Sequence, residues 1–115
     1  TNTCCSHPLP GETIVEAANR RLKEEMGMTA SLAPLFSFIY RAELGNNLVE
    51  HELDHVLIGF TDEQPLINPD EVCDYKWISM HEIEDDIEKN ESHYTAWFKK
   101  IILEYKSAFE DLLTL

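Results

Sequence analysis

The amino-acid sequence predicts an α+β fold. Three observations carry that expectation: a capped amphipathic helix near the start, an alternating strand pair in the middle, and helical periodicity through the last third. At 115 residues the chain is expected to form a single domain, residues 1–115, around one modest core. Apolar residues make up 43% of it, which places it among globular chains. It begins at Thr1 with no charged-then-apolar leader, so it is expected to be a fragment or a processed form.

Charge narrows the partners. Twenty-two acidic residues face 9 basic ones, a net charge of −13, and the basic residues form no cluster beyond Arg20-Arg21. An extended nucleic-acid surface needs such clusters, so a polyanion is disfavoured. The acid excess leaves carboxylates for hard divalent cations. No apolar run is long enough to cross a bilayer. Three cysteines, two of them adjacent, suit no disulfide framework, and a reducing cytoplasmic location is the simpler expectation.

In chain order, Thr1-Asn2-Thr3-Cys4-Cys5-Ser6-His7-Pro8 comes first. Pro8 and Pro10 make it a loop. Each member has a plain reading, cysteine as a small hydrophobe and histidine as an ordinary side chain. The helix between Gly11 and Gly27 follows, with Thr13 and Glu16 as a capping box and Gly27 at its end. Ile14, Val15, Ala18, Leu22 and Met26 recur at helical spacing as its apolar face, with Glu16, Arg20 and Lys23 pointing away. Arg21 and Glu25 border that face and lie four apart. They read either as an ordinary ion pair or as a guanidinium and a carboxylate looking into a cleft, one for phosphate and one for a cation.

Leu35 to Ala42 reads as a strand with Phe36, Phe38, Tyr40 and Ala42 on one face. Gly45-Asn46-Asn47 supplies turn chemistry for a hairpin, and Leu48 to Phe60 returns. On the returning strand Glu50, Glu52, Asp54, Val56, Ile58 and Phe60 alternate with Val49, His51, Leu53, His55 and Leu57. Two glutamates at i and i+2 stand roughly 6.5–7 Å apart on one side. Like charges so placed gain a strand nothing. They are useful around a divalent metal, or where one must stay protonated as an acid; otherwise they are a solvated strand end.

Pro65 to Pro69 reads as a loop and Val72 to Ile78 as a short strand, with Tyr75 and Trp77 on one side. Ser79 and Glu82 repeat the capping box and open a helix with Met80, Ile83 and Ile87 inward. A last helix is expected from about Thr95 to Leu113, burying Phe98, Ile101, Ile102, Tyr105, Phe109 and Leu112. Trp97 at its first turn is either a packing residue or part of a lid.

Taken together, these residues resemble the type I isopentenyl-diphosphate isomerases, which use a Nudix fold. The resemblance rests on the Cys5-Ser6-His7-Pro8 loop, Arg20-Arg21-Leu22-Lys23-Glu24-Glu25-Met26-Gly27, Tyr40-Arg41, Glu50-His51-Glu52 and Trp97-Phe98, in the family's order. It implies a Nudix-type α/β/α sandwich with a mixed sheet. Against the signature of Nudix hydrolases, Glu12, Arg20, Glu24 and Glu25 are in register. Ser6 stands where glycine is expected, and Arg21 where a metal-holding glutamate is expected. That departure favours diphosphate binding over pyrophosphate hydrolysis.

The resemblance implies roles residue by residue. Cys5 and Glu52 would be the two proton carriers that convert isopentenyl diphosphate to dimethylallyl diphosphate. Tyr40 would bond to Glu52, and Trp97 would offer its ring to the tertiary cation. His7, Glu50 and Glu52 would ligate a divalent metal, Mn²⁺, Mg²⁺ or Zn²⁺, and Glu25 would hold Mg²⁺ against the diphosphate that Arg21 contacts. Cys4 is expected to pack. His51 and His55 point the wrong way to serve as ligands. Family members add two histidines from an N-terminal segment, so the fold is expected to be incomplete at its N-terminus and the chain alone inactive. A Nudix hydrolase of a nucleoside diphosphate derivative and a non-catalytic scaffold are the alternatives.

Overall fold

A computed structural model describes residues 2–113, so Thr1 at the head of the cysteine motif lies outside the described residues. The order of elements is α1 (Ile14–Met26), β1 (Ala33–Gly45), β2 (Leu48–Ile58), α2 (Met80–Lys89), a 3₁₀ turn (Glu91–His93), α3 (Ala96–Glu104) and α4 (Lys106–Leu113). The chain is α+β. Two compact units divide it, one made of Asn2–Ser37 and His55–Lys76, the other of Phe38–Asp54 and the chain from Trp77 onward. Among the described residues, no helix is long and apolar enough to cross a membrane.

In the first unit, α1 starts and stops where the capping residues place it. The Thr13 hydroxyl accepts from the Glu16 N–H at 3.1 Å, which satisfies one of the helix's orphan donors. Gly27 ends the helix at φ 61°, in the left-handed region that residues with a Cβ avoid. The segment after Pro65 then closes on this end. Leu66 N–H donates to the Met26 carbonyl at 2.8 Å and Asn68 N–H to the Glu25 carbonyl at 2.9 Å. Helix carbonyls that lack a partner within α1 thus find one in the loop. A Cβ added at Gly27 would lie 2.5 Å from the Leu66 carbonyl oxygen, so glycine is required for space as well as for conformation.

Leu22, Met26 and Met28 form the core of this unit, with Cys4, Ala30, Leu32, Ile67 and Val72 packed against them. Ala17 is buried as well, whereas Ile14, Val15 and Ala18 are half-buried. The apolar stripe therefore runs one position round from its expected centre. Val72–Ile78 does not form the expected strand. A strand is made by ladder bonds to a neighbour, and the sheet described here is the β1–β2 pair alone, so the mixed sheet of a full sandwich is not assembled among these residues. Tyr75 and Trp77 are exposed accordingly.

The hairpin follows the alternation in the sequence. Phe38 and Tyr40 are buried and Phe36 and Ala42 half-buried, while Ser37, Ile39 and Arg41 are exposed. Asn46 and Asn47 form the two-residue turn with φ of 51° and 62°, as a turn matching the twist of paired strands requires. The strand β2 ends at Ile58, two residues before its expected limit, and leaves Phe60 exposed.

In the second unit, Ser79 caps α2 by accepting from the Glu82 N–H at 3.1 Å. Ile87, Phe98, Ile101 and Ile102 are buried here together with Phe38 and Tyr40. The single C-terminal helix expected from the periodicity is broken at Tyr105, whose φ and ψ of −113° and 22° leave the helical region. Its N–H still bonds to the Ile101 carbonyl, while its own carbonyl accepts from Ala108 N–H to start α4. At the break the Tyr105 ring packs on Phe38, with centroids 5.3 Å apart.

Candidate active site

The expected site residues fall into two groups, one in each unit. Cys5, His7, Arg21 and Glu25 belong to the first, and Tyr40, Glu50, Glu52 and Trp97 to the second.

In the first group, the adjacent cysteines have opposite environments. Cys5 is exposed, whereas Cys4 is half-buried against the Leu22–Met26–Met28 cluster. Burial pushes the Cys4 thiol up to about 11, and the Glu25 and Cys5 charges add to the effect against the opposing pull of Arg21. Cys4 therefore keeps its proton at neutral pH and packs as a small hydrophobe, as expected. Its carbonyl accepts from the Asn2 side-chain amide at 2.7 Å. Of the two thiols, that of Cys5 is the accessible one.

His7 is exposed, and its chain segment is fastened to α1 by Glu12 and Arg20. Arg20 Nε donates to Glu12 Oε2 at 2.8 Å and Arg20 Nη2 to Glu12 Oε1 at 3.0 Å, a two-pronged pair. Leu9 N–H donates to the same carboxylate at 2.9 Å. The Arg20 bond, then the Leu9 N–H, hold the Glu12 carboxyl below its ordinary value. Signature register placed Glu12 and Arg20 without a role; the structure gives them the task of seating the loop.

Arg21 is enclosed by acids. Its Nη1 meets Glu24, and its Nη2 reaches Glu25 Oε1 at 2.7 Å and Glu71 Oε1 at 3.0 Å. The plain ion-pair reading of Arg21 and Glu25 thus holds in this structure, and Glu71 is a third partner with no signal in the sequence. These bonds hold the Arg21 guanidinium in its charged form, with Glu71 the largest contributor.

In the second group, Glu50, Glu52 and Asp54 share the half-buried face of β2, while His51 and His55 are exposed on the other. The division matches the alternation in sequence. Tyr40 is 5% exposed, and the Trp97 ring stands edge-on to it with centroids 6.2 Å apart at 85°. Burial raises the Tyr40 hydroxyl's pKa, and the charges of Glu50, Asp54 and Glu52 raise it further. A phenol so placed keeps its proton and can offer it to a neighbouring acceptor. Asp54 was on the expected face without a task; its charge acts on Tyr40 alongside the glutamates.

The expected metal ligands divide between the groups, His7 and Glu25 in one and Glu50 and Glu52 in the other. Among the described residues no group of three or more His, Cys, Asp or Glu is gathered for an ion. The donor types fit a hard divalent cation, since carboxylate oxygens suit Mg²⁺ and Mn²⁺. An open hollow of about 490 Å³ beside α2 and α3, lined by Glu84, Glu88, Glu91 and Lys99 among others, includes none of the expected site residues.

The model of the NUDIX domain matches residues 2–98. The chain is 52% identical over 99 residues to "Isopentenyl-diphosphate Delta-isomerase" of Pectobacterium atrosepticum, an alignment covering 86% of this chain and 55% of that protein. It is 53% identical over 102 residues to "Isopentenyl-diphosphate Delta-isomerase 2" of Photorhabdus laumondii, covering 89% of this chain and 58% of that one. To the protein of the same name from Aromatoleum aromaticum it is 48% identical over 97 residues, with coverage of 84% and 51%. The chain spans about half the length of the curated relatives it matches.

Proposed function

Since this chain belongs to the NUDIX domain family, we propose that it carries residues of an isomerase converting isopentenyl diphosphate to dimethylallyl diphosphate in isoprenoid biosynthesis. The observation that carries the reading is the buried Tyr40 hydroxyl, held protonated beside Glu50, Glu52 and Asp54, with the Trp97 ring edge-on to it. A hydrolase has no evident use for a buried phenol against an indole. An alkene isomerase does, because protonation makes a tertiary cation in need of aromatic and anionic support.

In this reading Cys5 and Glu52 act as the two proton carriers. One gives a proton to the terminal alkene carbon, and the electron pair of the double bond forms the new C–H bond. The other takes a proton from the methylene beside the cation, and that C–H pair becomes the new double bond. Tyr40 donates to a carboxylate of β2 and keeps its proton aimed, and Trp97 shields the cation from water. Arg21 contacts the diphosphate. His7, Glu50 and Glu52 would hold one divalent ion, Mn²⁺, Mg²⁺ or Zn²⁺, and Glu25 a Mg²⁺. Such ions neutralise diphosphate charge when bound. The net charge of −13 supports a small-molecule substrate and no nucleic acid.

The test is to incubate the protein containing this chain with isopentenyl diphosphate in the presence of Mg²⁺ and Mn²⁺ and to follow dimethylallyl diphosphate. Its formation, lost in Cys5→Ala with the fold retained, is the expected result. Phosphate release from nucleoside diphosphate derivatives without isomerisation would reverse the reading, and an unaltered Cys5→Ala would point to a scaffold without this chemistry.

A further inference from the structure

We propose that Glu71 sets the phosphate affinity of Arg21 by occupying its fork in the absence of ligand; the inference rests on the reading of Arg21 as a diphosphate contact. Glu24 and Glu25 reach Arg21 from three and four residues along the same helix and accompany it in any motion of α1. Glu71 lies 50 positions away in sequence. It is delivered by backbone, not by a wandering side chain. Its own N–H and that of Val72 donate to the Asn68 carbonyl at 3.0 and 2.8 Å, and Asn68 N–H is fixed on the Glu25 carbonyl at 2.9 Å. The turn carrying Glu71 is thus pinned to the same helix end whose side chains flank Arg21.

A guanidinium offers five N–H donors in a rigid fork, and carboxylates and phosphates use it alike. Here three carboxylates share it, and the Arg21 side chain is only 20% exposed. Arg20 also reaches Glu24, at 3.5 Å, so two positive charges face Glu12, Glu24, Glu25 and Glu71, and the cluster stays acidic. A phosphate must therefore displace one acid and approach the others against like charge. Glu71 is the one to yield. It is not carried on α1 with Arg21, and its side chain is 37% exposed against 15% for Glu25, so it alone can swing away without moving the helix. In the free protein Glu71 keeps Arg21 aimed; on binding it is the competitor. Removing its charge should favour the ligand.

Titration calorimetry of inorganic pyrophosphate with Mg²⁺ into the protein containing this chain reads the effect directly, with a thermal melt confirming that each variant is folded. Glu71→Gln should bind roughly tenfold more tightly than the parent, the scale of removing one water-screened charge about 3 Å from an anion. Glu71→Ala serves the same purpose if Glu71→Gln fails to fold. In the Arg21→Ala background the gain should vanish, because Glu71 acts through that guanidinium. Weaker or unchanged binding in Glu71→Gln, with Arg21→Ala still losing pyrophosphate, overturns the role of Glu71 and leaves that of Arg21. Unchanged binding in Arg21→Ala overturns both, as does the absence of any heat from parent and Glu71→Gln alike at millimolar pyrophosphate.

Discussion

Arg20 grips Glu12 through two parallel bonds, Nε to Oε2 at 2.8 Å and Nη2 to Oε1 at 3.0 Å. The pair joins Glu12, four residues after Pro8, to the middle of α1, and so seats the loop that bears Cys5 and His7. Its charge is the part that responds to pH. The Glu12 carboxyl is held below its ordinary value of 4.5, so the stability it contributes is present above that value and is lost as pH falls through the lower, folded one. Unfolding followed by circular dichroism should therefore show the chain losing stability on acidification below about 4.5. Glu12→Gln should flatten that part of the curve.

Tyr40→Phe separates chemistry from packing. The ring still fills its place beside Trp97, but the hydroxyl that feels the charges of Glu50, Asp54 and Glu52 is gone. Isomerase turnover in the protein containing this chain should fall by roughly a hundredfold, the low end of what a positioned proton contributes. Thermal unfolding of the variant should stay close to the parent. Tyr40→Ala, by contrast, should cost about 3–5 kcal/mol in chemical denaturation, because a large buried ring is removed.

The two adjacent cysteines should react in a fixed order. Thiolates attack iodoacetamide and displace its iodide, and Cys5 is exposed whereas Cys4 is half-buried with its thiol pushed up to about 11. Peptide mass spectrometry at pH 7.5 should find Cys5 and the exposed Cys73 modified well before Cys4. Labelling of Cys4 at a rate equal to Cys5 would contradict the packing role.

Gly27→Ala tests the closure of the loop on α1. The left-handed backbone alone costs about 1–2 kcal/mol for a residue with a Cβ. The added carbon would also stand 2.5 Å from the Leu66 carbonyl oxygen, forcing apart the bond between Leu66 N–H and Met26. Urea denaturation should therefore show a loss of about 2 kcal/mol or more, with faster amide exchange at Leu66 and Asn68.

Local signals in the sequence carried most of the fold. Thr13, Gly27 and Ser79 act through their own side chain or backbone, so capping was legible from single residues. Alternation placed Phe38 and Tyr40 inward and His51 and His55 outward, because a strand's period is fixed by its geometry. What stayed hidden depends on distant partners. Val72–Ile78 has the composition of a strand and pairs with no other strand among the described residues. Tyr105 suits a helix interior, yet at this position its ring meets Phe38 and the helix is broken. Glu71 reads as one acid among 22, and only folding brings it to Arg21.

The asparagine pair at the hairpin tip has a consequence for the chemistry on β2. Side chains on a strand change sides at every residue, so the length of that turn sets the phase of everything after it. With Asn46 and Asn47 as a two-residue connection, Glu50, Glu52 and Asp54 fall on the sheltered side. Insert or delete one residue there and the frame shifts. Two imidazoles, from His51 and His55, would then take the sheltered side of β2 in place of three carboxylates. An acidic face would become an imidazole one, although every residue of β2 stays the same.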